Sequence, residues 1–200
     1  MLRQIIITIL ITFLSGAFSL GANAALKSSN SKVSCLAPSV VKLSQHPTII
    51  KSLNKFNTEK LLDPITIDNL WPSLNNDSSY ISSLLNNSAA ILIRAYISQV
   101  SLTGEGFLIG LNGGLVAATN RTSDYWQGDE AQFLEAIRLK INEFYIIGEY
   151  EDASADSRLI KIAAPVFDLS SSDRTPIGVL VIGFDSYVLN FKKLCDDSNH

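Results

Sequence analysis

The stretch GEGFLIGLNGGLVAATNRTSDYWQGDE, residues 104–130, decides the fold class. It begins with two apolar runs, residues 105–111 and 115–119, on either side of Asn112-Gly113. An Asn-Gly pair between apolar runs is a strong signal for a β-hairpin, because both central positions of the tight turn need a positive φ. The sequence therefore predicts two antiparallel strands here, where the helical period of the preceding residues changes to an extended one.

Three more strands are predicted after the hairpin, at residues 144–151, 158–167 and 177–185. The last of them is apolar on both faces, which predicts a central place in the sheet. Apolar spacing predicts helices at residues 38–56, which Pro47 kinks or divides, and at 79–96, 128–140 and 187–194. The sequence thus predicts an α+β fold, with one five-stranded antiparallel sheet and helices packed on one of its faces.

Composition indicates one globular domain. Of the 200 residues 46% are hydrophobic, which is too many for a disordered chain. A net charge of −3 without a basic cluster excludes a nucleic-acid partner, which requires a positive surface. The predicted domain spans residues 38–195, between a flexible leader at 25–37 and a polar tail at 196–200.

The first 24 residues have the pattern of a signal peptide. Arg3 supplies the positive start, residues 5–14 are mostly apolar, and Ala22-Asn23-Ala24 is a small-x-small cleavage pattern. Cleavage before Ala25 would leave an exported chain without a transmembrane span, in the periplasm or outside the cell. The alternative is an uncleaved anchor, although the apolar stretch is shorter than the roughly 20 residues that a span needs.

The two cysteines, Cys35 and Cys195, stand near opposite ends of the predicted domain. In an oxidising compartment an even pair of this kind predicts one disulfide. Two free, buried thiols are the alternative.

Four stretches give the chain a family resemblance: SVVKLSQHPTIIKSLNKFN (39–57), TIDNLWPSL (66–74), the stretch 104–130 quoted above, and IKIAAPVFDLSSSDRTPIGVLVIGFD (160–185). Together they resemble the Cache family of extracytoplasmic sensor domains, also called PAS-like or PDC domains. The resemblance implies a long N-terminal helix and a five-stranded antiparallel sheet whose concave face holds a small ligand.

Two features depart from the family pattern. Most relatives continue through a membrane helix into a kinase, cyclase or chemoreceptor module, whereas this sequence has polar residues after Leu194 and no second apolar span. We therefore expect a free-standing domain that reports to a membrane-bound signalling partner. The strand 158–164 also contains no polar residue that matches a known ligand-binding motif of the family.

The loop TSDYWQGDE, residues 122–130, is the predicted ligand site. Aromatic side chains beside a carboxylate suit a small pocket that orients an amine or a hydroxyl. The candidate ligand-binding residues are Thr119, Asp124, Tyr125, Trp126 and Asp129. Two structural alternatives remain open: Tyr125 and Trp126 could pack in the core, and Asp129 could cap the next helix in a capping box with Gln132, helped by Glu130.

No catalytic or metal site is predicted. His46 and His200 are poorly placed for a general base, and no His, Cys and Asp residues have metal-ligand spacing. We expect a non-enzymatic sensor domain that binds a small polar metabolite and needs no cofactor. The alternative is a ligand-free interaction module of the cell envelope that kept the fold.

Overall fold

The computed structural model describes residues 34–59, 62–100, 104–152 and 157–185. Before the sheet it has a 3₁₀ turn (Ser34–Leu36), helices α1 (Ala37–Ser44), α2 (Pro47–Thr58) and α3 (Pro64–Leu70), a second 3₁₀ turn (Trp71–Ser73), and helices α4 (Ser79–Asn86) and α5 (Ser88–Gln99). Strands β1 (Gly104–Gly110) and β2 (Leu115–Ala118), helix α6 (Ala131–Ala136), and strands β3 (Tyr145–Asp152), β4 (Ser157–Phe167) and β5 (Pro176–Asp185) follow.

Single residues divide the predicted helices. Pro47 separates α1 from α2, as expected, and His46 caps α2 because its Nδ1 accepts the Thr48 N–H at 3.2 Å. The helix predicted at 79–96 is wrong as one element, since α4 and α5 meet at Asn87. The Asn87 side chain accepts the N–H of Ala90 at 3.0 Å and donates to the Val116 carbonyl at 2.8 Å. The second bond fixes the start of α5 on strand β2.

The sheet has the strand order β2-β1-β5-β4-β3, and every pairing is antiparallel. The predicted five-stranded α+β architecture is confirmed, and β5 is the central strand, as its apolar faces indicated. The β1–β2 hairpin is also confirmed, but the expected turn geometry is present only in part: Gly113 has a φ of 80°, whereas Asn112 does not have a positive φ.

Helices cover both faces of the sheet, so the expectation of one covered face is wrong. Leu180, Ile182 and Phe184 of β5 belong to a core cluster with α1, α2 and α5. The alternate residues Val179 and Val181 belong to a second cluster with α3, α4, α6 and Tyr125. A strand that is apolar on both faces needs a partner layer on each, and the short helices supply the second layer.

Helix α6 is shorter than the predicted 128–140. It ends at Ala136, and the chain then turns through Asn142, a non-glycine residue with a φ of 68°. Asn tolerates this left-handed conformation better than most residues. The turn directs the chain into β3 and leaves residues 137–141 as a loop.

Several sequence predictions lie outside the described residues: the signal peptide, residues 25–33 of the leader, the helix at 187–194 with Cys195, and the tail. None of the helices in the described ranges has the length and hydropathy of a membrane span.

Candidate functional site

The loop of residues 119–130 lies along the tip of the β1–β2 hairpin. Leu115 donates its N–H to the Tyr125 carbonyl at 3.3 Å, and Gln127 donates its own to the Gly113 carbonyl at 2.8 Å. Gly114 and Trp126 form an isolated antiparallel bridge between them. The loop that the sequence singled out is therefore held by backbone hydrogen bonds to β2 and its turn.

Asp68 of α3 holds the same loop from the other side. One carboxylate oxygen, Oδ1, accepts the N–H of Tyr125 at 2.7 Å and the N–H of Trp126 at 3.0 Å. Charge-assisted bonds of this kind are stronger than neutral ones. The stretch TIDNLWPSL thus supplies the clamp for the candidate site, although the sequence assigned Asp68 no role in it.

Trp71 and Arg121 close the base of the loop. The Trp71 indole Nε1 donates to the Thr122 carbonyl at 3.0 Å, and the Arg121 guanidinium lies 5.3 Å from the Trp71 ring centroid. Arg121 also donates to the carbonyl oxygens of Trp71 and Leu74. The Arg121 guanidinium therefore holds the loop against α3 and the turn that follows it.

Tyr125 packs in the core. Its side chain is only 1% exposed, and its ring lies 5.6 Å from that of Trp71 and 6.0 Å from that of Tyr80. Burial, followed by the hydrogen bond with Tyr80, raises the pKa of the Tyr125 hydroxyl above its usual range. Of the two interpretations that the sequence left open, these contacts correspond to core packing.

Trp126 is half-buried and lies over two glycines. Its Nε1 donates to the Asn112 carbonyl at 3.1 Å, and a Cβ added at Gly113 or at Gly128 would lie 2.6 Å from this nitrogen. Both glycines are needed because the indole approaches the backbone so closely. Trp126 is thus only partly buried, unlike Tyr125.

Asp124 is half-buried among other carboxylates. Burial, then Glu130, Asp68 and Asp129, raise the pKa of the Asp124 carboxyl. Gln127 donates its Nε2 to Asp124 Oδ1, and Gln132 in turn donates to Gln127 Oε1 at 3.3 Å. In the described part of the chain no Lys or Arg forms an ion pair with any of the four carboxylates.

The expected capping box is wrong. Glu130, not Asp129, is the N-cap residue of α6, and it makes no side-chain capping bond. Gln132 is buried and bonded to Gln127, so it is not available for a capping bond. Asp129 is exposed and joins the group of carboxylates around Asp124.

Thr119 lies at the start of the loop, where its side chain is buried. Its N–H donates to the Gly106 carbonyl at 2.8 Å, and its Oγ1 accepts the Gly106 N–H at 3.0 Å. These two bonds extend the pairing of β1 with β2, so the structure engages the Thr119 hydroxyl in the sheet.

A buried ion pair occupies the sheet face on the Tyr125 side. Lys161 of β4 and Glu105 of β1 both lie opposite Gly183 of β5, and Lys161 Nζ is 2.8 Å from Glu105 Oε1 across that glycine. Lys161 is 8% exposed, and its Nζ lies 5.2 Å from the Phe107 ring centroid. Neither Lys161 nor Glu105 is part of a sequence motif, so the sequence did not indicate this ion pair. Only the strand register brings the two charges together.

A cleft of about 430 Å³ lies beyond the C-terminal end of α6. Residues 137–141, 167–169 and 174–176 line it, and we call it the basic cleft because Arg138, Lys140 and Arg174 are among them. No sequence motif marks this cleft, since residues 137–141 are far along the chain from the β4–β5 turn that forms the rest of its lining. No group of His, Cys, Asp and Glu residues in the described ranges could hold a metal ion.

Comparison with known proteins gives likeness in structure only. No protein-family model matches the sequence, and no curated protein does. The ligand-binding domain of the Campylobacter jejuni chemoreceptor Tlp3, in complex with L-norvaline, is similar with a TM-score of 0.41 and 14% identity over 80% of this chain and 60% of that one. The chain thus spans less than two thirds of that structure.

Two other solved structures give similar values. The Escherichia coli DcuS sensor domain has a TM-score of 0.42 and 15% identity, over 80% of this chain and 92% of that one. The ligand-binding domain of the Pseudomonas aeruginosa amino acid chemoreceptor PctC, in complex with GABA, has a TM-score of 0.38 and 11% identity, over 82% and 65%. These three solved structures are ligand-binding or sensor domains.

Proposed function

We propose that this protein is an extracytoplasmic sensor domain that binds a small polar ligand carrying an amine. Asp124, Trp126 and Asp129 contact the ligand, while Tyr125 and Thr119 support the loop from behind. The domain then reports its occupancy to a membrane or envelope partner.

The observation that supports this proposal is the group of carboxylates around Asp124. Burial first, and then the charges of Glu130, Asp68 and Asp129, raise the pKa of the Asp124 carboxyl, and no ion pair with a described Lys or Arg offsets these charges. A ligand ammonium placed here would relieve that repulsion and form charge-assisted hydrogen bonds. The accessible part of the Trp126 indole offers the same cation a ring face.

Thermal-shift measurements on the full chain test the proposal. The screen compares amino acids, GABA and simple primary amines with matched carboxylates and alcohols. A ligand at about a hundred times its Kd stabilises by roughly 2.7 kcal/mol, which raises the Tm of a domain of this size by about 5–10 °C. Asp124→Asn and Asp129→Asn should fold and lose that shift.

Asp77→Asn is the matched control, because Asp77 is an exposed loop aspartate outside the site. It should keep the full shift. If Asp124→Asn and Asp129→Asn fold and also keep the shift, the amine binds elsewhere and the assigned site is wrong. Tyr125→Ala is not used for this purpose, because removing a buried ring would destabilise the fold itself.

The burial of Tyr125 favours one second candidate, a ligand-free interaction module of the envelope. The Tyr125 ring packs against Trp71 and Tyr80 and is only 1% exposed, so it offers almost no surface to a ligand. Under this alternative no amine or other metabolite shifts the Tm, and gentle denaturation of the purified protein releases no bound small molecule.

The extracytoplasmic location rests on the residues 1–24 pattern. N-terminal sequencing of the protein from the cell envelope or medium should begin at or close to Ala25. An intact Met1 in the membrane fraction would contradict this part of the proposal.

A further inference from the structure

The basic cleft is formed where the ends of three elements meet. Phe167 ends β4, Pro176 begins β5, and the two residues are register partners beside a bulge. The loop of residues 137–141 comes off the end of α6 and returns toward β3 at Asn142. The β4–β5 turn and this loop thus form the two walls of the cleft.

The walls of the cleft are largely apolar. Ile137, Leu139, Ile141, Phe167, Leu169 and Pro176 contribute to its lining. Leu169 is 57% exposed, so it leaves apolar surface open beside the cleft. A volume of about 430 Å³ lies within the range of small-molecule sites. These features suit a ligand with an apolar body.

Three positively charged side chains at the cleft have no partner among the described residues. The side chains of Arg138, Lys140 and Arg174 are exposed, and none of them forms a hydrogen bond or ion pair with another described residue. Glu143, which is close in sequence, accepts the backbone N–H of Lys140 at 2.8 Å instead of pairing with its ammonium. Three cations therefore surround an apolar concavity without partners of their own.

The one acid in the lining, Asp168, already has partners. Its Oδ2 accepts from Asn54 Nδ2 at 2.7 Å, and its Oδ1 accepts from the Ser170 hydroxyl at 2.6 Å and the Ser170 N–H at 3.0 Å. The Ser170 and Asn54 side chains lower the pKa of the Asp168 carboxyl. Asp168 therefore fixes the β4–β5 turn and leaves the three cations available to a ligand.

We propose that the basic cleft binds a small organic anion, a carboxylate with an aliphatic or aromatic body. The body would lie against the apolar lining, and Arg138, Lys140 and Arg174 would bind the carboxylate, the two arginines through their forked donors. The basic cleft is separate from the candidate site in the loop of residues 119–130. It binds an anionic group, whereas the ligand proposed for that loop carries a cationic amine.

Hexanoate and benzoate are the probes, added to the full chain at low ionic strength and followed by calorimetric titration and by Tm. Hexylamine and hexanol test the need for the negative charge, and inorganic phosphate tests the need for the apolar body. We expect saturable binding of the two carboxylates, with affinity that falls as salt is added because the cations are exposed. Phosphate, hexanol and hexylamine should bind at least about tenfold more weakly, a difference of roughly 1.4 kcal/mol.

Substitutions locate the site. Arg174→Gln and Arg138→Gln should each weaken hexanoate binding by about tenfold, as expected for loss of a charged hydrogen-bond donor. Lys140→Gln should also weaken it, whereas the matched control Lys51→Gln, an exposed lysine on α2, should not. All four positions are exposed, so the variants should keep the wild-type Tm without ligand.

Four results would overturn the proposal. One is the absence of saturable carboxylate binding at millimolar concentration, and another is equal binding of hexylamine. The third is an Arg138→Gln/Arg174→Gln double variant that folds and binds hexanoate like the wild type. Tight phosphate binding with no gain from an apolar body would instead assign the cations to a plain phosphate site.

Discussion

The carboxylate of Asp68 accepts the backbone N–H of Tyr125 at 2.7 Å, and the same oxygen accepts the next N–H, that of Trp126. A helix early in the chain is thereby joined to the loop that follows the hairpin. These two hydrogen bonds fix the backbone at Tyr125, whose ring enters the core, and at Trp126, which stays partly accessible.

Asp68→Ala should lower the free energy of unfolding by about 2 kcal/mol, because two backbone donors lose a charged acceptor. Asp68→Asn keeps an oxygen acceptor without the charge and should lose about half as much. Urea unfolding measures both. Asp77→Ala, at an exposed loop position, is the matched control and should change stability by less than about 0.5 kcal/mol. Equal stability of Asp68→Ala and wild type would contradict the clamp.

Asp124→Asn should stabilise the protein at neutral pH. Folding raises the pKa of the Asp124 carboxyl above its ordinary 3.8. The protonated carboxyl therefore gives its full stabilisation only below pH 3.8. That stabilisation is lost as the pH rises through the pKa of the folded state. Asn does not ionise and avoids that loss. The gain should stay below about 1 kcal/mol because solvent screens a half-exposed group. Tm measured from pH 3 to pH 8 should show the gain disappear in acid.

Gly113→Ala should destabilise the hairpin by about 2 kcal/mol or more, because a φ of 80° is strained for alanine and its Cβ would lie 2.6 Å from Trp126 Nε1. Gly148→Ala is the matched control. No atom lies within 4 Å of a Cβ at Gly148, and its φ is not positive. Thermal unfolding should place the control at or above the wild-type Tm. A Gly113→Ala variant as stable as wild type would contradict both the backbone strain and the close approach of Trp126 and Gly128 to this position.

Lys161→Met should cost about 2 kcal/mol, because Glu105 is left without its partner in a largely buried position. The double variant Lys161→Met/Glu105→Met removes both charges and should recover most of that loss. Lys55→Met breaks the exposed pair with Glu59 and should cost less than about 0.5 kcal/mol. Denaturant unfolding of the wild type, Lys161→Met, Glu105→Met and the double variant gives the coupling. An additive double variant would mean that the pair contributes no coupling.

Peptide mapping of protein recovered from the envelope should find Cys35 linked to Cys195, as the sequence predicts for an exported chain. Reduction should then lower the Tm, since a loop of this length constrains the unfolded chain by up to about 4–5 kcal/mol. Recovery of both cysteines as free thiols from an oxidising compartment would contradict the pairing.

The strands were predictable because each one is specified by its own residues. Asn112-Gly113 places the hairpin turn, and a run such as PIGVLVIGFD, apolar on both faces, has only a central strand as its stable position. The errors occurred where a distant contact overrides local propensity. Asn87 ends α4 because its side chain donates a hydrogen bond to the Val116 carbonyl. Gln132 forms no capping box because its side chain donates a hydrogen bond to Gln127.

The sequence by itself therefore determined the α+β class, the five strands, the central place of β5 and the unusual loop of residues 122–130, since each depends on periodicity or turn chemistry within a few residues. Tertiary structure alone decided that Tyr125 packs inward while Asp124 lies among Asp68, Asp129 and Glu130. It also decided that Lys161 meets Glu105 across Gly183, and that Arg138, Lys140 and Arg174 surround one cleft. The physical reason is that charge interactions and burial depend on distance in space, and chain folding sets that distance independently of separation along the sequence.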